Sequence, residues 1–577
     1  MIWTSLLQGA VTSLLFSQLV SAAALPSCNT PSNRACWVTG YDINTDYEQK
    51  TPTTGVVVPY TLTITEVDNY VGGDGQIKKK AMLVNNQFPG PVLTANWGDT
   101  FQITVVNKLR NNGTSIHWHG IRQLNNNIND GANGITECPI PPGASKTYTF
   151  LAQQYGTSWY HSHTGVQYAN GVTGSIVING PASLPYDIDL GAFPISDWYY
   201  GAADTVAEQI AESNGAPPPS NNVLINGSNI NPSGAGGKYT TVTLTPGKRH
   251  RLRLINPSVE NSFSVSLVNH TMTVIGTDFV PVDAFTTNSL FLGIGQRYDV
   301  TIDASQTPGN YWFNVTYAAS GACGASNNLH PAAIFHYAGA ATGTPTSTGT
   351  PPPDAACADY TSYTPVVTRT ASLSQFSAAP DNLNVTFNGV ADPTVFWNVN
   401  GNSMQVNWEK PTLEYVREGN TAYPTRENVV SVTKANVWSV WLITNLTPVP
   451  HPMHLHGHDF LVLGSSPAQS NPFGGSQRLF NPATDTSSLK LNNPTRRDVT
   501  MLPGNGWLVV AFETDNPGAW LFHCHIAWHV SSGLSVQYLE RVQDIPGAMN
   551  LNTITPNCNA WNTYYPTDPF KQYDSGI

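Results

Sequence analysis

Apolar and polar residues are grouped in short stretches along this chain rather than in long stripes of helical period. Runs rich in Val, Ile, Thr, Tyr and Phe, each closed by Gly, Pro or Asn, occur at Tyr60–Glu66, Thr100–Val106, Thr147–Leu151 and Tyr239–Leu244. Others occur at Arg297–Ile302, Tyr311–Tyr317 and Val437–Ile443. Such side chains suit a pleated, half-buried surface and the residues that follow favour turns, so each run predicts a strand. Many short strands at this spacing predict an all-β chain of antiparallel sandwiches or barrels. Two composition shifts divide it. One run ends at Asn179-Gly180-Pro181 in a Pro-containing connection, and Gly339–Asp354 is a low-complexity Gly/Ala/Thr/Pro stretch containing Pro351-Pro352-Pro353. That stretch reads as an exposed linker. The expected arrangement is three unequal sandwich domains, 25–183, 184–355 and 356–577, without a tight sequence repeat. A chain of 577 residues agrees with that number, at roughly 100–200 residues per domain.

Residues 1–24 stand apart. They form an apolar run interrupted only by small and uncharged polar residues, with Ala22-Ala23-Ala24 before Pro26, Ser27 and Cys28. This is the pattern of a secretory signal peptide with a small-x-small cleavage site, although the n-region lacks a basic side chain. The rival reading, a membrane anchor, lacks the stop-transfer charges it would need, and no later apolar stretch is long enough to span a bilayer. Six Asn-x-Ser/Thr sequons, at Asn112, Asn226, Asn269, Asn314, Asn384 and Asn445, agree with export. Export permits disulfides, and the odd count of seven cysteines leaves at least one thiol for other chemistry. Charged residues make up only 11% of the chain, with 26 Lys+Arg against 37 Asp+Glu. Neither a nucleic-acid-binding patch nor a polybasic membrane anchor is implied.

The histidines change the picture. Ten of the 15 fall in four short motifs: His117-Trp118-His119-Gly120, His161-Ser162-His163, His451-Pro452-Met453-His454-Leu455-His456, and His523-Cys524-His525 with His529 downstream. On an extended strand residues i and i+2 share a face, so each His-x-His pair can aim two imidazoles at one metal or at two neighbouring metals. In the fourth motif Cys524 points one way and His523 and His525 the other. A metal on the thiolate is then joined to a second metal site by a few covalent bonds. A single such pair is more often an accident or a solvated face, but four would need that explanation four times over. His250, His270, His330, His336 and His458 lie outside the spacing and read as ordinary hydrogen-bonding histidines.

A thiolate with two imidazoles and a weak or absent axial ligand is the donor set of a blue-copper site. Structural zinc would take four strong ligands, usually several thiolates, and only one cysteine is near. Cys524 and His529 supply two of the blue-copper donors, and the histidines left over exceed the needs of one ion, so a polynuclear cluster is the natural reading.

These residues resemble the copper-binding segments of the multicopper oxidases, and within that family the laccases of ascomycete fungi. HWHG, HSH, HPMHLHGH and HCHIAWHVSSGL follow in the family's order and spacing, and the likeness runs from about Cys28 to the end. It implies three cupredoxin-like Greek-key domains with four copper ions, one type 1 and a trinuclear cluster between the first and third domains. By motif position it implies His451, Cys524 and His529 at type 1. Type 2 would take His117 and His454, and the type 3 pair His119, His161, His163, His456, His523 and His525. The implied activity is one-electron oxidation of phenolic or aromatic reductants coupled to reduction of dioxygen to water. A secreted monomer with no nucleic-acid or membrane partner is expected.

Further positions follow from the likeness. Leu534, ten residues after the cysteine, stands at the axial position, where many relatives have methionine; core packing is its plain alternative. Asp130 matches an acidic residue that helps protonate reduced oxygen, though Asp130-Gly131 is equally a turn signal. Asn221 stands where relatives place a pocket carboxylate, beside His529 at the reductant site, and an amide cannot act as a base there. Cys28–Cys36, Cys138–Cys558 and Cys323–Cys357 would pair, leaving Cys524 for copper, whereas six cysteines alone allow 15 connectivities. The tail Asp574-Ser575-Gly576-Ile577 is similar to one that enters the channel to the cluster. Competing readings are a bilirubin, ascorbate or ferrous-ion oxidase, the last with Asp459 as its only nearby carboxylate, or a non-catalytic copper-binding protein. That last reading leaves eight histidines without a purpose.

Overall fold

The structure, a computed structural model, describes residues 28–350, 352–391 and 394–577. The expected signal peptide lies outside the described residues. Each run singled out above forms a strand, at Val57–Val71, Thr100–Lys108, Ser145–Leu151, Thr241–Leu244, Arg297–Asp303, Asn310–Thr316 and Trp438–Asn445. In Thr100–Lys108 the residues Phe101, Ile103, Val105 and Asn107 are buried while their neighbours are partly or fully exposed. That period of two comes from the pleat, which sends successive side chains to opposite faces.

The main sheets fall into three groups along the chain. The first, 57–179, has two four-stranded sheets; the second, 188–337, and the third, 382–540, each have a six-stranded and a five-stranded sheet. Within each group the two sheets bury a shared apolar core, such as Leu62, Phe101, Leu93 and Ile176 in the first. Each of the six sheets contains one parallel pair among antiparallel ones. Val57–Val71 beside Thr100–Lys108 is matched by Ile188–Trp198 beside Arg249–Ile255 and by Asn382–Ala391 beside Trp438–Asn445. The topology therefore repeats three times although the sequence does not. Pairing and burial repeat, and many apolar sequences satisfy both.

Residues 339–350 carry no strand or helix and are mostly exposed, as the linker composition predicts. Cys28–Cys36, Cys138–Cys558 and Cys323–Cys357 are the disulfides, and Cys524 is the free, buried cysteine. Cys138–Cys558 ties the first group to the helix Thr555–Tyr564. Buried ion pairs also join the second and third groups: Arg297 with Asp498 at 2.6 Å and Arg497 with Asp278 at 2.9 Å. Removing one partner of such a pair costs about 3–5 kcal/mol, because the other charge is left buried alone. These pairs fix the relative placement of the sheets around the histidines.

Two expectations need correction. The Asn445 side chain is fully buried and donates to Val449 O at 2.7 Å and Pro503 O at 3.0 Å, so this sequon is not an available acceptor in the folded protein. Asn226 and Asn269 are exposed. Asp459, considered for iron binding, is buried between the Tyr47 hydroxyl at 2.6 Å and Arg496. It is unavailable to a cation at His451 and His529. Among the described residues no helix is long and apolar enough to cross a membrane.

Candidate metal centre

Strand pairing brings the four motifs together. His117-Trp118 is a two-residue strand lying antiparallel to Gly156–His161, with His117 opposite His161. In the third group His451–Leu455 lies beside Gly518–Cys524, so His454 faces His523 and Met453 faces Cys524. All seven residues of Gly518–Cys524 are buried. Both of its faces are covered, which is why this strand shows no apolar–polar alternation. His529 follows on the short helix Ala527–Val530.

One face carries a three-donor site. Cys524 Sγ lies 3.5 Å from His451 Nδ1 and 3.6 Å from His529 Nδ1, and the two nitrogens are 3.2 Å apart. The Trp397 ring packs 4.3 Å from His529 and 5.0 Å from His451. His529 is 5% exposed, more than any of the other nine motif histidines, so it marks the side of the site nearest to solvent. Leu534 is fully buried; its N–H donates to His529 O at 3.0 Å and its carbonyl accepts from Cys524 N at 3.1 Å. Burial pulls the His451 imidazole down to about 3, which keeps it neutral with a lone pair to give. The same burial pushes the Cys524 thiol well above its ordinary range. A soft cation must displace that proton, so loading the site releases it.

The opposite face carries eight histidines in contact. Donor atoms of His117, His119 and His161, of His117, His454 and His456, and of His163, His456 and His523 lie within 4.8 Å of one another in each set. His525 Nε2 is 3.2 Å from His119 Nδ1, and His456 Nε2 is 3.2 Å from His523 Nε2. Backbone carbonyls fix four of the eight tautomers. His117 Nδ1 meets Asp130 O at 2.9 Å, His161 Nδ1 meets Ser162 O at 3.0 Å, His454 Nδ1 meets Asp498 O at 2.8 Å and His523 Nδ1 meets Cys524 O at 2.8 Å. A carbonyl only accepts, so each proton sits on Nδ1 and each Nε2 keeps its lone pair. His117, His161 and His454 hold Nε2 buried with no hydrogen-bond partner, and both ring nitrogens of His163 are in that position. Orphaned buried acceptors are costly, and so many aimed into one space fit metal ions there.

Two carboxylates stand behind the rings. Asp130 Oδ2 accepts from His456 Nδ1 at 2.8 Å, and its Oδ1 lies 3.3 Å from His117 Nδ1. Asp498 Oδ1 is 3.2 Å from His119 Nε2, which turns His119 round so that Nδ1 is its free donor. Arg297 grips Asp498 with two bonds of 2.6 and 2.7 Å. Gly120, with φ +75°, gives this pair room: a Cβ there would collide with the Asp498 carboxylate and the Arg297 guanidinium. Asp498 and Arg297 carry no motif signal, and sequence reasoning misses them. The glycine of HWHG was the one hint.

Profiles of multicopper oxidase domains match residues 67–183, 191–340 and 389–544. The chain belongs to the multicopper oxidases. This multicopper oxidase is 57% identical to Laccase-2 of Podospora anserina over 562 residues, covering 96% of the chain and 90% of that relative. It is also 57% identical to Laccase-1 of Melanocarpus albomyces, with the same shares covered. The crystal structure of the laccase from Botrytis aclada superposes with a TM-score of 0.86 at 38% identity, covering 95% of this chain and 99% of that one. The protein is thus a laccase-type oxidoreductase built of cupredoxin sandwiches, and its cofactor is copper, four ions of types 1, 2 and 3.

Other expected positions lie around this multicopper oxidase's centre. Asn221 is half-buried and its Oδ1 accepts from Tyr200 N at 2.8 Å, so its amide holds a loop. Glu260 went unnoticed in the sequence. It is 7% exposed, its Oε2 is buried with no hydrogen-bond partner, and its charge bears on the Cys524 thiol. The tail is docked rather than frayed: Ser575 N donates to Ser531 O at 2.7 Å and Trp408 Nε1 to Gly576 O at 2.8 Å. Asp574 sits against Gly165, two residues beyond His163.

Proposed function

We propose that electrons enter from small phenolic or aromatic reductants at His529 and leave through Cys524 to a cluster where dioxygen is reduced to water. The carrying observation is that Cys524 sits in the three-donor site while His523 and His525, its two neighbours, face the eight-histidine site. Bound copper would supply one-electron acceptance at the first site and multi-electron oxygen chemistry at the second. His451, Cys524 and His529 are the type 1 ligands in this reading. His117 and His454 hold type 2, and His119, His161, His163, His456, His523 and His525 hold the type 3 pair. The protein is a secreted monomer.

The chain's own side chains handle the protons. Glu260 accepts the phenolic proton in place of a carboxylate at Asn221. Burial first, and then the charge of Asp197, raise Glu260 well above the usual carboxylate range. The ionised, accepting form therefore grows as pH rises, so phenol oxidation gains an acid limb. In Glu260→Gln that limb is lost and kcat/KM for phenols falls by about 10–100-fold, the range expected of a positioned proton acceptor. Ferrocyanide, which gives an electron without a proton, is oxidised as before. Parallel kinetics on a methoxyphenol, bilirubin, ascorbate and ferrous ion test the reductant class. Phenol is expected to lead, and preference for any of the other three would replace this reading.

Leu534 offers no lone pair to a metal at the Cys524 site. A thioether there would stabilise the oxidised metal. Leu534→Met is expected to lower the type 1 reduction potential in a redox titration followed at the blue band; an unchanged or higher potential would count against the axial assignment.

A further inference from the structure

The strand Ile188–Trp198 ends near a carboxylate that the roles above leave without a purpose. Asp197 is 4% exposed, and its oxygens accept three successive backbone N–H groups. Val259 N donates to Oδ1 at 2.9 Å, and Glu260 N and Asn261 N donate to Oδ2 at 2.9 and 3.0 Å. Its own N–H donates to Ser258 Oγ at 3.0 Å. Successive amides around one anion form a nest, and hydrogen bonds to a charged group are stronger than those between neutral groups. The segment is therefore held far more firmly than an ordinary loop.

Both partners of the reductant are attached to that segment. Val259 O accepts from Ala527 N at 2.9 Å, and Ala527 begins the helix that carries His529. One peptide unit thus separates the Asp197 carboxylate from that helix. The next residue is Glu260. Ser258 O accepts at 3.3 Å from the Tyr168 hydroxyl, which lies at the same distance from His525 O. Underneath, the fully buried Lys78 donates to Tyr199 O at 2.7 Å, and the Tyr199 ring meets Trp528 edge-on at 5.8 Å. All three sheet groups meet at this point.

We infer that Asp197 is a positioning residue for phenol oxidation: by gripping 259–261 it fixes Glu260 and the His529 helix in one frame, so that proton and electron acceptors meet the same reductant. This rests on the role given to Glu260 above. A phenol gives up one proton and one electron, and a misplacement of about 1 Å can cost on the order of 100-fold in rate. A carboxylate that only held the fold would lower stability and slow every reductant alike.

The test uses the copper-loaded full chain with Asp197→Asn, Glu260→Gln and the double variant, each assayed on a methoxyphenol and on ferrocyanide. Asparagine keeps the shape but loses the charge and one accepting oxygen. Asp197→Asn is expected to lower kcat/KM for the phenol by about 10–100-fold, with ferrocyanide changed by less than about threefold. The double variant is expected to be no worse on the phenol than the poorer single variant, because both act on one acceptor. Equal losses on both reductants, or losses that multiply in the double variant, would overturn the inference. If Glu260→Gln spares the phenol, the Glu260 role itself fails. If it harms the phenol while Asp197→Asn does not, only the Asp197 role fails. Should Asp197→Asn not accumulate with copper, Ser258→Ala, which removes the bond to the Asp197 N–H, takes its place. The same selective loss in smaller degree supports the inference, and no selectivity overturns it.

Discussion

Serine in place of Cys524 is expected to give a folded protein that keeps three of its four coppers, has no intense blue absorption and turns over no reductant. A hydroxyl is a hard donor that stays protonated near neutral pH, so it cannot replace the thiolate proposed to hold copper between two imidazoles. The side chain is buried among apolar neighbours and nearly isosteric, so the loss to packing is small. The eight-histidine site keeps its anchors, because His523 and His525 belong to the same backbone in either variant. Copper analysis with visible and electron paramagnetic resonance spectra checks this. Loss of all four ions together would mean that Cys524 holds the fold and not one ion. Retained blue absorption would remove the thiolate from the account.

Asp130→Asn is expected to slow reoxidation of the reduced enzyme by dioxygen by about 10–100-fold, the usual effect of removing the partner of a metal-bound histidine. Reduction of the blue site should be unchanged. Asp130 touches His456 and His117 through its side chain and His117 again through its carbonyl. Asparagine preserves the carbonyl contact and most of the shape, but it neither carries a proton nor raises the basicity of His456. Stopped-flow measurement of the two half-reactions separates them. Equal slowing of both, or slowing of neither, would leave Asp130 only its place in the turn.

What the sequence revealed and what it hid follow from how far apart the cooperating residues lie. Two-residue alternation is local, so the strands and the opposed faces of His523, Cys524 and His525 could be read directly. The disulfides could not: Cys138 and Cys558 are 420 residues apart, and only likeness to relatives paired them. Asp498, Arg297, Glu260 and Asp197 belong to no motif, and each gains its meaning from residues far away along the chain. The turn of His119, which offers Nδ1 where its neighbours offer Nε2, depends on Asp498, 379 residues away. The threefold repeat of sheet pairing was hidden for a different reason. Apolar side chains of similar size substitute freely in a core while the backbone pairing stays the same.

In the proposed mechanism one chain couples a thiolate-bound copper to a cluster of three. Copper counting on the purified protein, combined with its visible spectrum, tests this most directly. Four coppers per chain and a single intense thiolate-to-copper band are expected. One copper per chain with the same band would contradict it, leaving a copper-binding cupredoxin with no cluster.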